Sequence, residues 1–285
     1  GFRPTPGLIS VDHTGKKNNL PILTTPGCLA RNPNDMSILL DEIIGSDPLD
    51  RSSFDLDGLF KDQNISDKEF SALRIGWLSD MNGEYNIEKE IIEICENKLR
   101  ELEKIKIKVD FLKPKINNDF LWESWTTLRA KGIYDDTIAM NISDIDSMTY
   151  QAIWEYKKGK NVNSEDLQLA IDLKQKCLNQ IDLIFGNFDF LALPSAQTFP
   201  FDKNLQFPKT IDNIELDTYH RWLEVFILSS LLDLPTFTIP VGFNKNGLPM
   251  GMQIIGRNKD DLKLFSFVSK YEIVFNYSKI KPNLN

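Results

Sequence analysis

The chain has 285 residues, 41% of them hydrophobic and 26% charged, and a formal charge of -8. This composition is that of a globular protein long enough to bury a substantial core in one α/β domain. The acidic balance excludes nucleic acid and an anionic membrane surface as main partners, since both need a basic patch, and Cys28, Cys95 and Cys177 are too scattered for a disulfide framework or a metal knuckle. No apolar run reaches the ~18 residues of a membrane span and the first residues carry no signal-peptide pattern, so a reducing cytoplasm is the expected setting.

Residues 1–26 hold four prolines and the polar run Lys16-Lys17-Asn18-Asn19, which predicts extended chain laid over the surface of something else. A helix follows over 33–44, with Asn32 as cap, Pro33 in the first turn, Asp35 at the positive end and Gly45 as stop. The Asp-rich span 47–67 lacks the ligand order of a calcium loop and reads as solvated loop, with no metal. An apolar run at 72–78, an amphipathic stretch at 87–102 and a second short run at 109–112 predict strand, helix and strand, a βαβ unit with a right-handed crossover. Further helices are expected over 119–130 and 164–185, separated by an acidic, irregular segment at 135–150. The apolar run 188–193 reads as a strand opening into the loop 194–198, the kind of strand end where α/β sheets bind ligands. A helix over 219–232 leads into the most legible stretch of the chain. There Thr236 to Val241 and Met250 to Ile255 are rich in β-branched and apolar residues and flank Asn244-Lys245-Asn246-Gly247, a punctuation that predicts a hairpin. A helix over 260–271 and a loosely held polar tail from Asn276 complete the chain. No internal repeat or linker divides it, so residues 1–285 read as one unit.

The hairpin stretch carries more than strand signals. Pro235, Pro240, Gly242, Gly247-Leu248-Pro249, Gly251, Gln253, Gly256 and Asp260 stand in a spacing that resembles the C-terminal signature region of the amidase signature family of serine amidohydrolases. Residues 1–7, GFRPTPG, resemble the segment that follows that family's catalytic core. Gly27-Cys28-Leu29-Ala30-Arg31, leading into Asp35 to Asp41, resembles another family element, with Cys28 in place of the usual Pro. The resemblance implies the C-terminal part of an amidase-signature α/β/α sandwich, a mixed sheet covered by helices. It also implies a parent enzyme that hydrolyses carboxamides through a Ser, a bridging cis-Ser and a Lys, without metal or cofactor. No glycine- and serine-rich run of that kind occurs in the 285 residues. The catalytic groups are therefore expected upstream of Gly1, and this chain is expected to supply the wall, lid and specificity part of a site. The expected partners are a small-molecule amide, the N-terminal catalytic segment and, through an apolar face left uncovered, a second copy in a homodimer. The alternatives are a non-catalytic, amide-binding subunit or pseudoenzyme, or the A-type subunit of an amidotransferase.

No residue of the chain is assigned a catalytic role. Ser195, His220 and an aspartate are the one hydrolase-like combination near a strand end, but Ser195 lacks a G-x-S-x-G elbow and His220, beside Arg221 on a helix, reads as a surface or cap residue. Cys28 reads as a small buried thiol. Trp122 and Trp125 are candidates to line an apolar substrate channel, Trp125 the better one, and Arg129 is expected to pair with an acidic neighbour. Gln197 at a strand end and Tyr219 at a helix start suit polar contacts to an amide. Trp125, Gln197 and Tyr219 are thus the candidate substrate-binding residues.

Overall fold

The computed structural model describes residues 1–11, 20–21 and 23–281, so the Lys16 to Asn19 run lies outside the described residues. The first strand, β1 (Phe2–Arg3), pairs antiparallel with a strand from near the other end of the chain, Phe2 opposite Phe237. Phe2 is buried, its ring stacked on Phe237 at 5.2 Å, and Leu8 is fully buried. Where the opening segment is described, its apolar side chains Phe2, Leu8 and Ile9 belong to this chain's own core. Thr5 fixes it further, donating from N and Oγ1 to the two carboxylate oxygens of Asp261 at 2.8 and 2.6 Å.

Helix α1 (Pro33–Ile43) forms as its sequence signals require, with the Asn32 side chain accepting from Asp35 N and Pro33 in the first turn. The Asp-rich span that follows is mostly solvated, but Asp41 caps the backbone N–H groups of Phe60 and Lys61 and so holds Phe60 in the core. A capping box at Ser66 starts α2 (Asp67–Ala72), which leads into β2 (Arg74–Trp77). Helix α3 (Lys89–Lys104) then crosses to β3 (Lys108–Phe111), parallel to β2, the unit read from the sequence. Three helices come next: α4 (Asn118–Ala139), α5 (Tyr150–Lys160) and α6 (Ser164–Phe185). The irregular segment expected at 135–150 is therefore shorter than the sequence suggested, since α4 continues through Ala139 and α5 begins at Tyr150.

β4 (Phe190–Pro194) is buried along its whole length. Successive strand residues point to opposite faces, so the sheet is covered on both faces at this central strand, whereas the edge strand β3 is exposed at three of its four residues. A small ribbon, β5 (Thr210–Ile211) and β6 (Ile214–Glu215), precedes a 3-10 helix over Tyr219–Phe226 and the short α7 (Ile227–Leu231). The expected single α-helix at 219–232 is thus split, and eight residues of 3-10 helix exceed the three or four that this tighter winding usually sustains. β7 (Thr236–Phe243) and β8 (Pro249–Ile255) form the predicted hairpin, turned by Asn244 to Gly247, where Gly247 N donates to Asn244 O at 2.9 Å and Gly247 has φ +78°. α8 (Asp261–Phe275) closes the fold.

The six strands make one mixed sheet in the order β1-β7-β8-β4-β2-β3, parallel only where β2 meets β3 and β4. α3 packs on β7 and β8, and α8 on β7 and α1. The chain beyond Asn276 is held as far as it is described. Tyr277 stacks on Tyr271 at 6.3 Å and Ser278 N donates to Glu272 Oε1 at 2.9 Å, which replaces the loose tail expected from its polarity.

Candidate functional site

The site lies where β4 ends. Gln197 is fully buried in the loop that follows: its Nε2 donates to Asn86 O at 3.0 Å and its Oε1 accepts from Val225 N at 3.2 Å. Gln253 on β8 donates from its one Nε2 to Pro194 O at 2.9 Å and Val225 O at 3.0 Å. Two buried amides thereby grip the Val225 peptide units and fasten the 3-10 helix to the end of the sheet, satisfying backbone groups that would otherwise be stranded.

In a 3-10 helix residues three apart eclipse one another. Arg221 accordingly reaches Glu224, Nη1 to Oε1 at 2.6 Å, while its Nε lies 3.1 Å from Asp217 and its guanidinium carbon 3.5 Å from the Trp122 ring centroid. Burial pushes the Glu224 carboxyl up to about 7, against the pull of Arg221 and with help from Asp217 and Glu84. A carboxyl whose pKa is higher folded than unfolded contributes stability that is full below the unfolded value and is lost as pH rises through the folded one. Between about pH 4.5 and 7 the Glu224 contribution is therefore expected to fall by on the order of 3 kcal/mol. Urea midpoints measured across that range should decline more steeply for the unsubstituted chain than for Glu224→Gln; parallel curves would refute the assignment.

His220 is not the surface residue its neighbourhood suggested. It is 2% exposed, and its Nε2 lies 2.9 Å from Glu155 Oε1. Glu155, on α5, also takes Arg129 of α4 through Nε to Oε1 and Nη2 to Oε2, the latter at 3.5 Å. Burial drives the Glu155 carboxyl up, but the hydrogen bond from His220 together with the charge and hydrogen bonds of Arg129 outweigh it, and the carboxyl is held below its ordinary range. Four rings enclose the histidine: Tyr219 at 3.8 Å, Trp154 at 5.1 Å, Trp125 edge-on at 5.4 Å and Trp122 at 6.4 Å between centroids. Burial near Glu155 also pushes the Tyr219 hydroxyl up to about 12, so it is a neutral donor.

Of the sequence candidates, Trp125 and Tyr219 come together around His220. Gln197 reaches the same 3-10 helix through Val225, with its amide committed to backbone groups. Arg129 pairs with an acidic neighbour as expected. Ser195 N donates to Gly251 O at 3.1 Å, and among the described residues no hydrogen bond joins Ser195 to His220, so the serine-histidine combination is not assembled. Glu155 and Trp154 were not anticipated, because α5 was not. Its signals were present in Thr149, whose side chain caps Ala152 N, and in Lys157, Lys158 and Lys160 at the negative end of the helix dipole. Chemically, this arrangement is an aromatic wall around an internally paired ionic cluster.

A mixed sheet with helices packed on it defines an α/β domain. The family model described as Amidase matches residues 1–265, and the chain belongs to that family, the amidase signature proteins. It is 25% identical over 299 residues to the A subunit of the glutamyl-tRNA(Gln) amidotransferase from Macrococcus caseolyticus, covering 97% of this chain and 60% of that one. Among solved structures, a bacterial aryl acylamidase of the amidase signature family superposes with a TM-score of 0.83 at 17% identity, covering 99% of this chain and 61% of the other. The 6-aminohexanoate cyclic dimer hydrolase with bound substrate follows at 0.76 and 16%, covering 99% and 62%. The chain thus spans about three-fifths of the length of the curated relatives it matches.

Proposed function

We propose that this chain forms the substrate-facing part of an amidase-type C–N hydrolase, with the Ser, bridging Ser and Lys of the acyl-enzyme chemistry supplied by sequence outside these 285 residues. The observation that carries the reading is the aromatic wall around His220, on the 3-10 helix that Gln197 and Gln253 fasten to the end of β4, in a chain whose family match runs over residues 1–265. In this reading Trp125 and Tyr219 line the acyl or amine pocket, while Gln197 holds the 3-10 helix in place. The nucleophile, once activated by the Lys through the bridging Ser, attacks the amide carbonyl, and backbone N–H groups hold the oxyanion. This chemistry calls for no metal or cofactor.

The relatives named as glutamyl-tRNA(Gln) amidotransferase subunits favour a second reading, a protein that works on an amide inside a larger assembly. Both readings place the nucleophile elsewhere. The 285-residue chain is accordingly expected to hydrolyse no amide above background and to resist labelling by a fluorophosphonate, because loss of a nucleophile removes most of the rate in serine hydrolases. Joining it to, or co-expressing it with, a segment that bears the Ser and Lys core should restore both. Turnover by the chain alone, with label mapped to Ser195 or another internal serine, would overturn the proposal.

A further inference from the structure

The sheet ends at β3, which pairs with β2 and with no other described strand. Lys108 N donates to Leu73 O at 3.1 Å and Leu112 N to Trp77 O at 2.9 Å, so the alternate residues Lys108, Asp110 and Leu112 turn their backbone groups to the β2 side. Val109 and Phe111 therefore turn theirs to the open edge, where the Phe111 side chain is also 49% exposed. A row of unpaired N–H and C=O groups of this kind is a template for another strand.

The charge along this edge is opposite to that of the chain as a whole. Lys104, Lys106, Lys108, Lys113 and Lys115 are all exposed, and none of them has an ion-pair partner among the described residues. The only carboxylate between Lys104 and Lys115 is Asp110, and Arg74 already holds it at 2.9 Å. Lysines on an edge deter a second copy of the same edge, since pairing would bring the uncompensated cations of both copies together. The same stripe attracts a strand of opposite charge. An extended segment with acids at alternate positions offers both things the edge lacks: backbone partners for Val109 and Phe111, and a row of carboxylates about 6.7 Å apart for the lysines. A nucleic acid would supply the charge alone, and would meet a chain whose net charge is -8. We propose that the β3 edge, with the lysines from Lys104 to Lys115, is a docking site for an acidic, extended segment of another protein, which adds to the sheet as a further strand. This site is independent of the amidase reading.

The test is fluorescence anisotropy of the 285-residue chain with a labelled, amidated eight-residue Glu-Val repeat. The peptide is expected to bind at least tenfold more tightly than the corresponding Lys-Val repeat. N-methylation of every valine, or of every glutamate, keeps the charge and removes one set of backbone donors, and one of these two peptides should lose at least tenfold, because only one set turns toward the edge. Lys108→Glu combined with Lys113→Glu and Lys115→Glu, all at exposed positions, should weaken the unmethylated peptide at least tenfold. Hydrogen exchange on the unsubstituted chain gives an independent reading: the peptide should slow the amides of Val109 and Phe111 at least tenfold, since these are the groups that gain partners. Absence of binding overturns the proposal, as do full affinity of both N-methylated peptides, full affinity of the substituted chain, or protection that misses Val109 and Phe111. Tighter binding of an oligothymidylate of the same charge would assign the edge to nucleic acid and overturn it equally.

Discussion

Gly159→Ala is expected to destabilise the chain and to disperse the aromatic wall, although alanine is the better helix former. A Cβ at position 159 would sit 2.0 Å from Ala130 O, 2.6 Å from Ala130 C and 2.8 Å from Tyr134 Cβ. The first two are backbone atoms of α4, which cannot rotate away, so α5 must move outward to make room. Glu155 lies one turn earlier on α5 and would be drawn off Arg129 and His220. Overpacking of this kind typically costs about 1–3 kcal/mol and sometimes more, against a gain of about 1 kcal/mol in helix propensity. A net loss of about 2 kcal/mol, read as a lower urea midpoint with altered tryptophan fluorescence, is the expected result. Gly132→Ala is the internal control. It lies on α4 with nothing within 4 Å of its added Cβ, so it should gain up to about 1 kcal/mol by the same propensity. If both substitutions behave alike, the close approach of α4 and α5 is not what holds the wall.

Glu155→Ala carries the other large effect. The carboxylate joins three elements, Arg129 of α4 and His220 of the 3-10 helix to its own α5, and its side chain is 3% exposed. Removing one partner of a buried ion pair typically costs about 3–5 kcal/mol, because the remaining charge is left without compensation. The Arg129 side chain is 32% exposed and can reach water, which sets the expectation nearer about 2–4 kcal/mol. The double variant Glu155→Ala, Arg129→Ala should recover part of that loss, since the stranded cation is then gone as well. Additive losses in such a cycle would mean that the two residues do not act on each other.

The ionic cluster also shows why parts of the site escaped a reading of the sequence. Its partners lie 26 and 65 positions apart, Arg129 to Glu155 and Glu155 to His220, and nothing local marks any of the three. A histidine beside an arginine on a polar helix start has the same sequence appearance whether it is solvated or sealed under four rings. Trp125 and Tyr219 were legible as candidates from position alone, in an aromatic cluster on a helix and at a helix start, where helix burial and capping are the commoner roles. Gln197 was legible as a position, but its engagement with Asn86 and Val225 depends on where two other segments come to rest.

The sequence by itself determined what short-range physics controls. Asn244 to Gly247 set the hairpin because Gly247 takes the left-handed φ of the turn and the Asn244 side chain accepts from Asn246 N and Leu248 N, and Asn32, Pro33 and Asp35 set the start of α1 because they satisfy or omit its free N–H groups. The spacing of prolines and glycines around that hairpin likewise carried the family. Only the tertiary structure decided that Phe2 and Leu8 belong to this chain's core, that residues 219–226 wind as a 3-10 helix, and that Gly159 must be glycine. Each of these is fixed by a neighbour distant in sequence: Phe237 opposite Phe2, Gln197 and Gln253 on the Val225 peptide units, and Ala130 against Gly159. Local propensity is worth a few tenths of a kcal/mol to about 1 kcal/mol per residue, and a buried hydrogen bond or a steric clash equals or exceeds it. Where the two compete, as along the 3-10 helix, the long-range contact decides the conformation.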